Sequence, residues 1–195
     1  LLTAGTELSR ALSDAVRQAR EAAVRRFAGI LDELCGELPL LRSAARADTP
    51  PKGQVARAMW RSVLPYAERT FVTPMAAVAG AVADEILDVM LASGDLSRAY
   101  VNNGGDIALG LTPGTSWRIG LVDRPDRPSL FGSTTLSYDS GVGGVATSGW
   151  RGRSFSFGIA DAVTVLATHA AAADAAATII ANAVDLPGHP AISRV

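Results

Sequence analysis

Asp174, Thr178 and Asn182 stand four residues apart in HAAAADAAATIIANAV, residues 169–184, a stretch otherwise made almost entirely of apolar side chains. Four residues is slightly more than one helical turn, so the three side chains stack on one stripe of a helix whose other positions favour burial. A carboxylate and a hydroxyl on one stripe, Asp174 and Thr178, are oxygen donors of the type a hard cation such as Mg2+ accepts, with water and ligand phosphates completing its shell. A purely structural reading stands beside this one. In it Thr178 bonds back to its own helix, and Asp174 is solvated or serves the positive helix end.

Two loops carry further chemistry. VNNGGDIALG, residues 101–110, sets Asn102, Asn103, Gly104, Gly105 and Asp106 between two apparent strands. Consecutive glycines let backbone amides approach a ligand, while Asn-Gly and Gly-Asp are also favoured hairpin chemistry, and both readings stay open. GVGGVATSGWRGRSFSFG, residues 141–158, contains Gly141-x-Gly143-x-x-Ala146. A dinucleotide fingerprint must lead from a strand into a helix, and ATSGWRG is a poor helix, so a Rossmann reading is rejected. What remains is a glycine-rich loop with Thr147, Ser148, Gly149, Ser154 and Ser156, near Arg151 and Arg153, suited either to holding phosphate or to turning the chain. No G-x-x-x-x-G-K-[ST] occurs. His169 and His189 lack partners at diagnostic spacing and are expected as cap or surface residues; no catalytic residue is assigned.

Composition narrows the classes. The 195 residues carry a formal net charge of -1, which offers no basic excess for nucleic acid or an anionic membrane. The single cysteine, Cys35, excludes an internal disulfide, fits a reducing cytoplasm, and is expected as a small core side chain. The opening residues lack the basic and apolar regions of a secretion signal, and the charge-free stretch from Thr70 to Ala83 is shorter than a membrane span, so a cytoplasmic protein is expected. The first residue is Leu, as expected of a trimmed chain.

The elements that would position these residues follow from the hydrophobic period. Thr6 to about Ala47 predicts one long or two shorter amphipathic helices ended or broken at Pro39. DTPPKG, residues 48–53, is a loop, and Gln54 to Thr70 is helical with an interruption at Pro65. PMAAVAGAVADEILDVMLASG is a helix with Pro74 in its first turn, Gly94 as its stop, and small residues where something packs closely. Short β-type runs follow at 99–101, 107–109, 117–122, 133–138, 144–146 and 162–167, and then the closing helix, with Thr168 as its expected N-cap. Helices, then strands, then a helix predict an α+β fold with a mostly antiparallel sheet flanked by helices and a helical N-terminal third. Residues 1–195 read as one domain, with 1–70 the helical part and 71–195 the motif-bearing part.

Taken together, PMAAVAG, NNGGD, GVATSG, GRSFSFGIADAVTVLA and AAADAAATIIANAV, between Phe71 and Asn182, resemble an uncharacterised bacterial and archaeal family of ApbE-like proteins. The wider superfamily is that of the FAD:protein FMN transferases, Mg2+-dependent enzymes that split FAD and attach FMN to a threonine of a partner. The resemblance implies that Asn103, Gly104, Gly105 and Asp106 match the flavin-site loop, and Thr147, Ser148 and Gly149 the family's TSG. It also implies that Asp174 and Thr178 match the magnesium-binding Asp and Thr, and that Ser154 and Ser156 stand in the ligand loop. FAD or FMN and Mg2+ are the implied cofactors, and the implied partners are a small phosphate-bearing ligand and a redox protein. Two departures are visible: Ala79 precedes Gly80 where the pattern has lysine, and SFSFGIAD replaces the histidine-containing loop. Without an oriented proton acceptor, threonine flavinylation is not expected. A ligand-binding protein of unknown reaction, a non-enzymatic assembly module and a rearranged transferase remain the alternatives.

Overall fold

The computed structural model describes residues 2–122, 129–151 and 156–192. The N-terminal helix is a single element, α1 (Leu2–Gly36), followed by the short α2 (Leu38–Leu41). The break falls at Gly36 and Glu37 instead of at Pro39, which occupies the first turn of α2, where a missing N–H costs nothing. Likewise α3 (Gln54–Ala67) runs through Pro65, which stands in the last turn, so only one ladder bond is lost near a fraying end. Glu37 starts α3 from outside it, accepting the N–H groups of Lys52 and Gly53 at 2.7 Å each. A 3-10 turn at Pro74–Ala77 leads into α4 (Val78–Ser93), and Gly94 ends it.

Among the described residues six strands follow where the alternating runs predicted them: β1 (Arg98–Asn103), β2 (Asp106–Leu111), β3 (Ser116–Val122), β4 (Leu130–Ser137), β5 (Gly144–Ser148) and β6 (Val163–Ala167). All pairings are antiparallel; one sheet has the order β1-β2-β5-β6, and β3 pairs with β4 as a separate two-stranded leaf. With α5 (Ala170–Ala183) closing the chain, the fold is α+β as expected. Among the described residues no helix is long and apolar enough to cross a membrane.

The strand period of two sorts the four-stranded sheet into two faces. Ala108 and Ala146 turn toward the helices, where Ala108 packs with Ala83, Leu87 and Ala170, and Ala146 with Ala173 and Ala177. Ile107, Leu109 and Val145 turn the other way and meet Trp117, Ile119 and Leu136 of the β3–β4 leaf. That leaf is further held by the Trp117 ring, which lies edge-on to Tyr100 at 5.2 Å and beneath the Arg98 guanidinium at 4.8 Å.

The helix layer is built from small residues so that backbones approach. A Cβ on Gly80 would stand 2.3 Å from the carbonyl oxygen of Ala170, and one on Gly144 would stand 2.2 Å from the Ala170 nitrogen. The N-terminus of α5 is served from across this contact: Asp84 of α4 accepts the N–H groups of Ala170 and Ala171 at 2.9 Å each. Thr168 is therefore not the N-cap; His169 holds that position without a side-chain cap bond, because the acceptor comes from another helix. Burial holds the Asp84 carboxyl above the usual carboxylate range, against the two N–H groups that lower it.

Arg26 of α1 bonds Glu33 and the buried Glu85 of α4, tying the long helix to the layer. Ala19, Ala22 and Ile30 form the buried stripe of α1. Cys35 lies off that stripe and is exposed, correcting its expected core placement.

Gly80→Ala should therefore destabilise the chain by about 1–3 kcal/mol through overpacking against backbone that cannot yield. Asp84→Ala should cost about 0.5–2 kcal/mol through loss of the cap. Urea unfolding of both variants checks this, and a Gly80→Ala midpoint equal to that of the wild type would refute the close contact.

Candidate functional site

The β1–β2 connection is a two-residue turn, Gly104 and Gly105, whose φ angles of 72° and 119° favour glycine. Asn102 Oδ1 accepts the Gly105 N–H at 2.9 Å, so the hairpin reading of this stretch holds and that amide is committed within the loop. The turn places Asn103 opposite Asp106. Asn103 Nδ2 donates to the Ala79 carbonyl at 3.1 Å, fastening the hairpin to the start of α4. Asp106 shares the helix-facing side of β2 with Ala108 and accepts the Thr147 N–H from β5.

Asp174, one turn into α5, reaches the same place. Its Oδ2 accepts the Gly80 N–H at 3.0 Å, and the Ala79 N–H adds a second bond. The carboxylate thus serves orphan amides at the start of α4, where the helix has no intrahelical acceptors to offer. Asp106 and Asp174 are close enough that the charge of the first acts on the second. Burial pushes the Asp106 carboxyl up to about 6, against the Thr147 N–H that lowers it. Asp174 is pushed up to about 7 by burial first and by Asp106 second, opposed by the Gly80 and Ala79 N–H groups.

Asn103, Asp106, the Thr147 backbone and Asp174 therefore converge at the first turn of α4. The remaining predicted residues take other positions. Thr147 Oγ1 shares a hydrogen bond with Thr164 Oγ1 at 2.8 Å, Ser148 is buried at the end of β5, and Gly149 passes close to the Asp161 carbonyl. Ser156 donates to Asn182 Oδ1 at 2.9 Å, and the Phe157 N–H meets the same atom at 2.9 Å. Thr178 and Asn182 line a cleft of about 370 Å³ with Phe71, Thr73 and Phe157. Ser154 and Arg153 lie outside the described residues. Arg151 is paired with Asp161 at 2.8 Å and lies over the Trp150 ring.

The stripe on α5 thus divides between two neighbourhoods, Asp174 at the acid pair and Thr178 with Asn182 at the cleft. Sequence reasoning did not single out Asp84 or the Gly80 amide. The one available signal was the run of small residues in α4, which marked a close approach without naming the groups that meet there. Among the described residues no three or more His, Cys, Asp or Glu side chains gather as a metal cage.

The family described as AbpE bacteria matches residues 6–195. The chain belongs to this family. Its ApbE-like character agrees with the motifs. The AbpE-family chain is 40% identical over 129 residues to a UPF0280 protein of Methanopyrus kandleri, covering 66% of this chain and 48% of that protein. It is 42% identical over 126 residues to a UPF0280 protein of Methanothermobacter thermautotrophicus, covering 60% and 44%. Among solved structures it is similar to the ApbE protein of Thermotoga maritima, with 23% identity, a TM-score of 0.44, and coverage of 58% of this chain and 42% of that one. The chain spans about half the length of the curated relatives it matches.

The raised acids give the AbpE-family chain a pH dependence of definite sign. The folded Asp174 keeps its proton up to about 7, whereas its ordinary value is 3.8. Between these values the native state holds a proton that the unfolded chain has released, so stability falls as pH rises through the window. Asp106, raised from 3.8 to about 6, acts in the same direction. Asp174→Asn should flatten the loss between pH 5 and pH 8. Melting curves of both proteins across that range check it, and parallel slopes would refute the assignment.

Proposed function

We propose that this chain binds a phosphate-bearing ligand, a flavin nucleotide by resemblance, through a divalent cation held at Asp106 and Asp174. The observation that carries the reading is the acid pair: two carboxylates from different elements stand together, each raised by burial, and one raised by the other. Such a pair opposes its own ionisation, and a cation between the groups relieves that opposition.

The donor set fits a hard cation. Asp174 has two N–H partners, which leaves carboxylate lone pairs for a metal, and Asp106 has one. Two carboxylates supply fewer oxygens than a complete shell, which suits Mg2+ held jointly by protein, water and ligand phosphate. When bound, the cation would offset phosphate charge at this end of the sheet. The chain's own residues do the positioning: Asn103 fixes the hairpin to Ala79, the Gly80 and Ala79 amides aim Asp174, and the Thr147 amide aims Asp106.

Ala79 stands where the superfamily pattern has lysine, and the loop around Ser156 and Phe157 stands where it has histidine. These departures favour a ligand-binding role, in the service of a redox partner, over threonine flavinylation. The cation assignment is tested by thermal shift with FMN or FAD, in Mg2+ or in chelator. Mg2+ should raise the melting temperature in the presence of nucleotide by mass action, and Asp174→Ala should abolish that increment. A nucleotide that binds with no Mg2+-dependent increment would overturn the metal assignment. Incubation with FAD, Mg2+ and a threonine acceptor peptide should leave the acceptor mass unchanged, and a gain of one FMN would restore the transferase reading.

A further inference from the structure

Phe157 and Phe71, at 84% and 79% exposure, are the most exposed large apolar side chains among the described residues. They belong to different parts of the chain, yet both line the same cleft. We propose that Phe71 and Phe157 are the aromatic walls of a site for a planar, fused heteroaromatic ring, seated between the 70–76 segment and the C-terminal half of α5. The proposal deepens the nucleotide reading above and rests on it for the ring's identity as part of a nucleotide.

The cleft's size and lining set the occupant. About 370 Å³ lies in the range of small-molecule pockets. Its walls combine the two phenyl rings with Val72, Ala76 and Ile179, and its polar groups are Thr70, Thr73, Thr178 and Asn182. An aliphatic chain would leave those hydroxyls and the amide without partners. A heteroaromatic ring offers a face to stack on phenyl and edge atoms that accept or donate hydrogen bonds.

Asn182 links the two functions. Its Oδ1 takes the Ser156 hydroxyl and the Phe157 N–H, both at 2.9 Å, which fixes the backbone that carries Phe157. With that oxygen committed twice, Nδ2 is the end of the amide left to serve a ring edge as a donor. The position of the cleft adds a second argument. Thr178 lies one helical turn from Asp174, so a ring in the cleft leaves its phosphate tail directed along α5 toward the acid pair.

The test separates ring binding from phosphate binding. Riboflavin and adenosine, which carry rings without phosphate, are titrated in chelator against the intact chain, Phe71→Ser and Phe157→Ser, with calorimetry as the readout. The wild type should bind one of the two rings, and each substitution should weaken that binding about tenfold. Both phenyl groups are solvent-exposed, so the variants should fold, which circular dichroism verifies. Riboflavin binding assigns a tricyclic flavin-type ring, and adenosine binding assigns a purine.

Failure of both rings to bind the wild type overturns the site, as does unaltered affinity in the two variants. If the substitutions instead dissociate an oligomer in sedimentation while ring affinity holds, the pair is a subunit contact and the proposal is also overturned. Ring binding that depends on both phenylalanines, with no Mg2+-dependent increment for FMN, retains the aromatic site and removes the cation reading. An FMN increment with Mg2+ that neither substitution weakens does the reverse.

Discussion

Two helices of this fold meet near their positive ends, and that meeting is tolerable only because each supplies the other with a carboxylate. At the start of α4 the Gly80 and Ala79 amides are taken by Asp174 of α5, and at the start of α5 the Ala170 and Ala171 amides are taken by Asp84 of α4. Two macrodipoles brought together at their N-termini repel, and the reciprocal anions reverse the sign of the interaction. The glycine at position 80 is the steric counterpart of the same constraint, since the α5 backbone occupies the space its Cβ would need. The alanines on the helix-facing side of the sheet, Ala108 and Ala146, let this helix pair lie close over β2 and β5.

Much of this architecture was legible because hydrophobic periods report local geometry. The alternating runs from 99 to 167 became strands, and the small-residue half of α4 marked a close approach before any partner was known. What remained hidden was non-local. Asp84 lies far along the chain from the amides it serves, and a search for caps among sequence neighbours settles on Thr168, the wrong residue. Pro39 and Pro65 misled for a related reason: a proline's effect depends on which turn of the helix it enters, and boundaries are the least determined feature of a periodic pattern. The spacing of Asp174, Thr178 and Asn182 correctly set them along one helix face. It gave no account of the two different surroundings along that face, because these depend on what the 70–76 segment and the 156–158 loop bring to α5.

The acid pair works against the fold that contains it. Asp174 is needed in its place by the α4 amides, and Asp106 by the Thr147 amide, so neither can withdraw from the other without releasing a backbone donor. Burial raises both carboxyls, and the charge of Asp106 adds to the effect on Asp174, so the fold favours the protonated form of the pair. Of the two departures from the superfamily pattern, Ala79 falls at this acid pair and the loop around Ser156 falls at the cleft. The pair's positioning bonds use backbone amides and Asn103, which those departures leave in place.

The β3–β4 leaf has a consequence of a different kind. Its two strands satisfy each other along their length, while its attachment to the four-stranded sheet relies on side chains: Trp117 against Tyr100 and Arg98, and Leu136 in a small cluster with Leu109 and Val145. Among the described residues no backbone ladder crosses between the leaf and the sheet. A segment joined in this way can detach as a cooperative unit without unzipping its neighbours. In native-state hydrogen exchange, the amides of β3 and β4 would then form their own class, opening at lower free energy than those of β2, β5, α4 and α5.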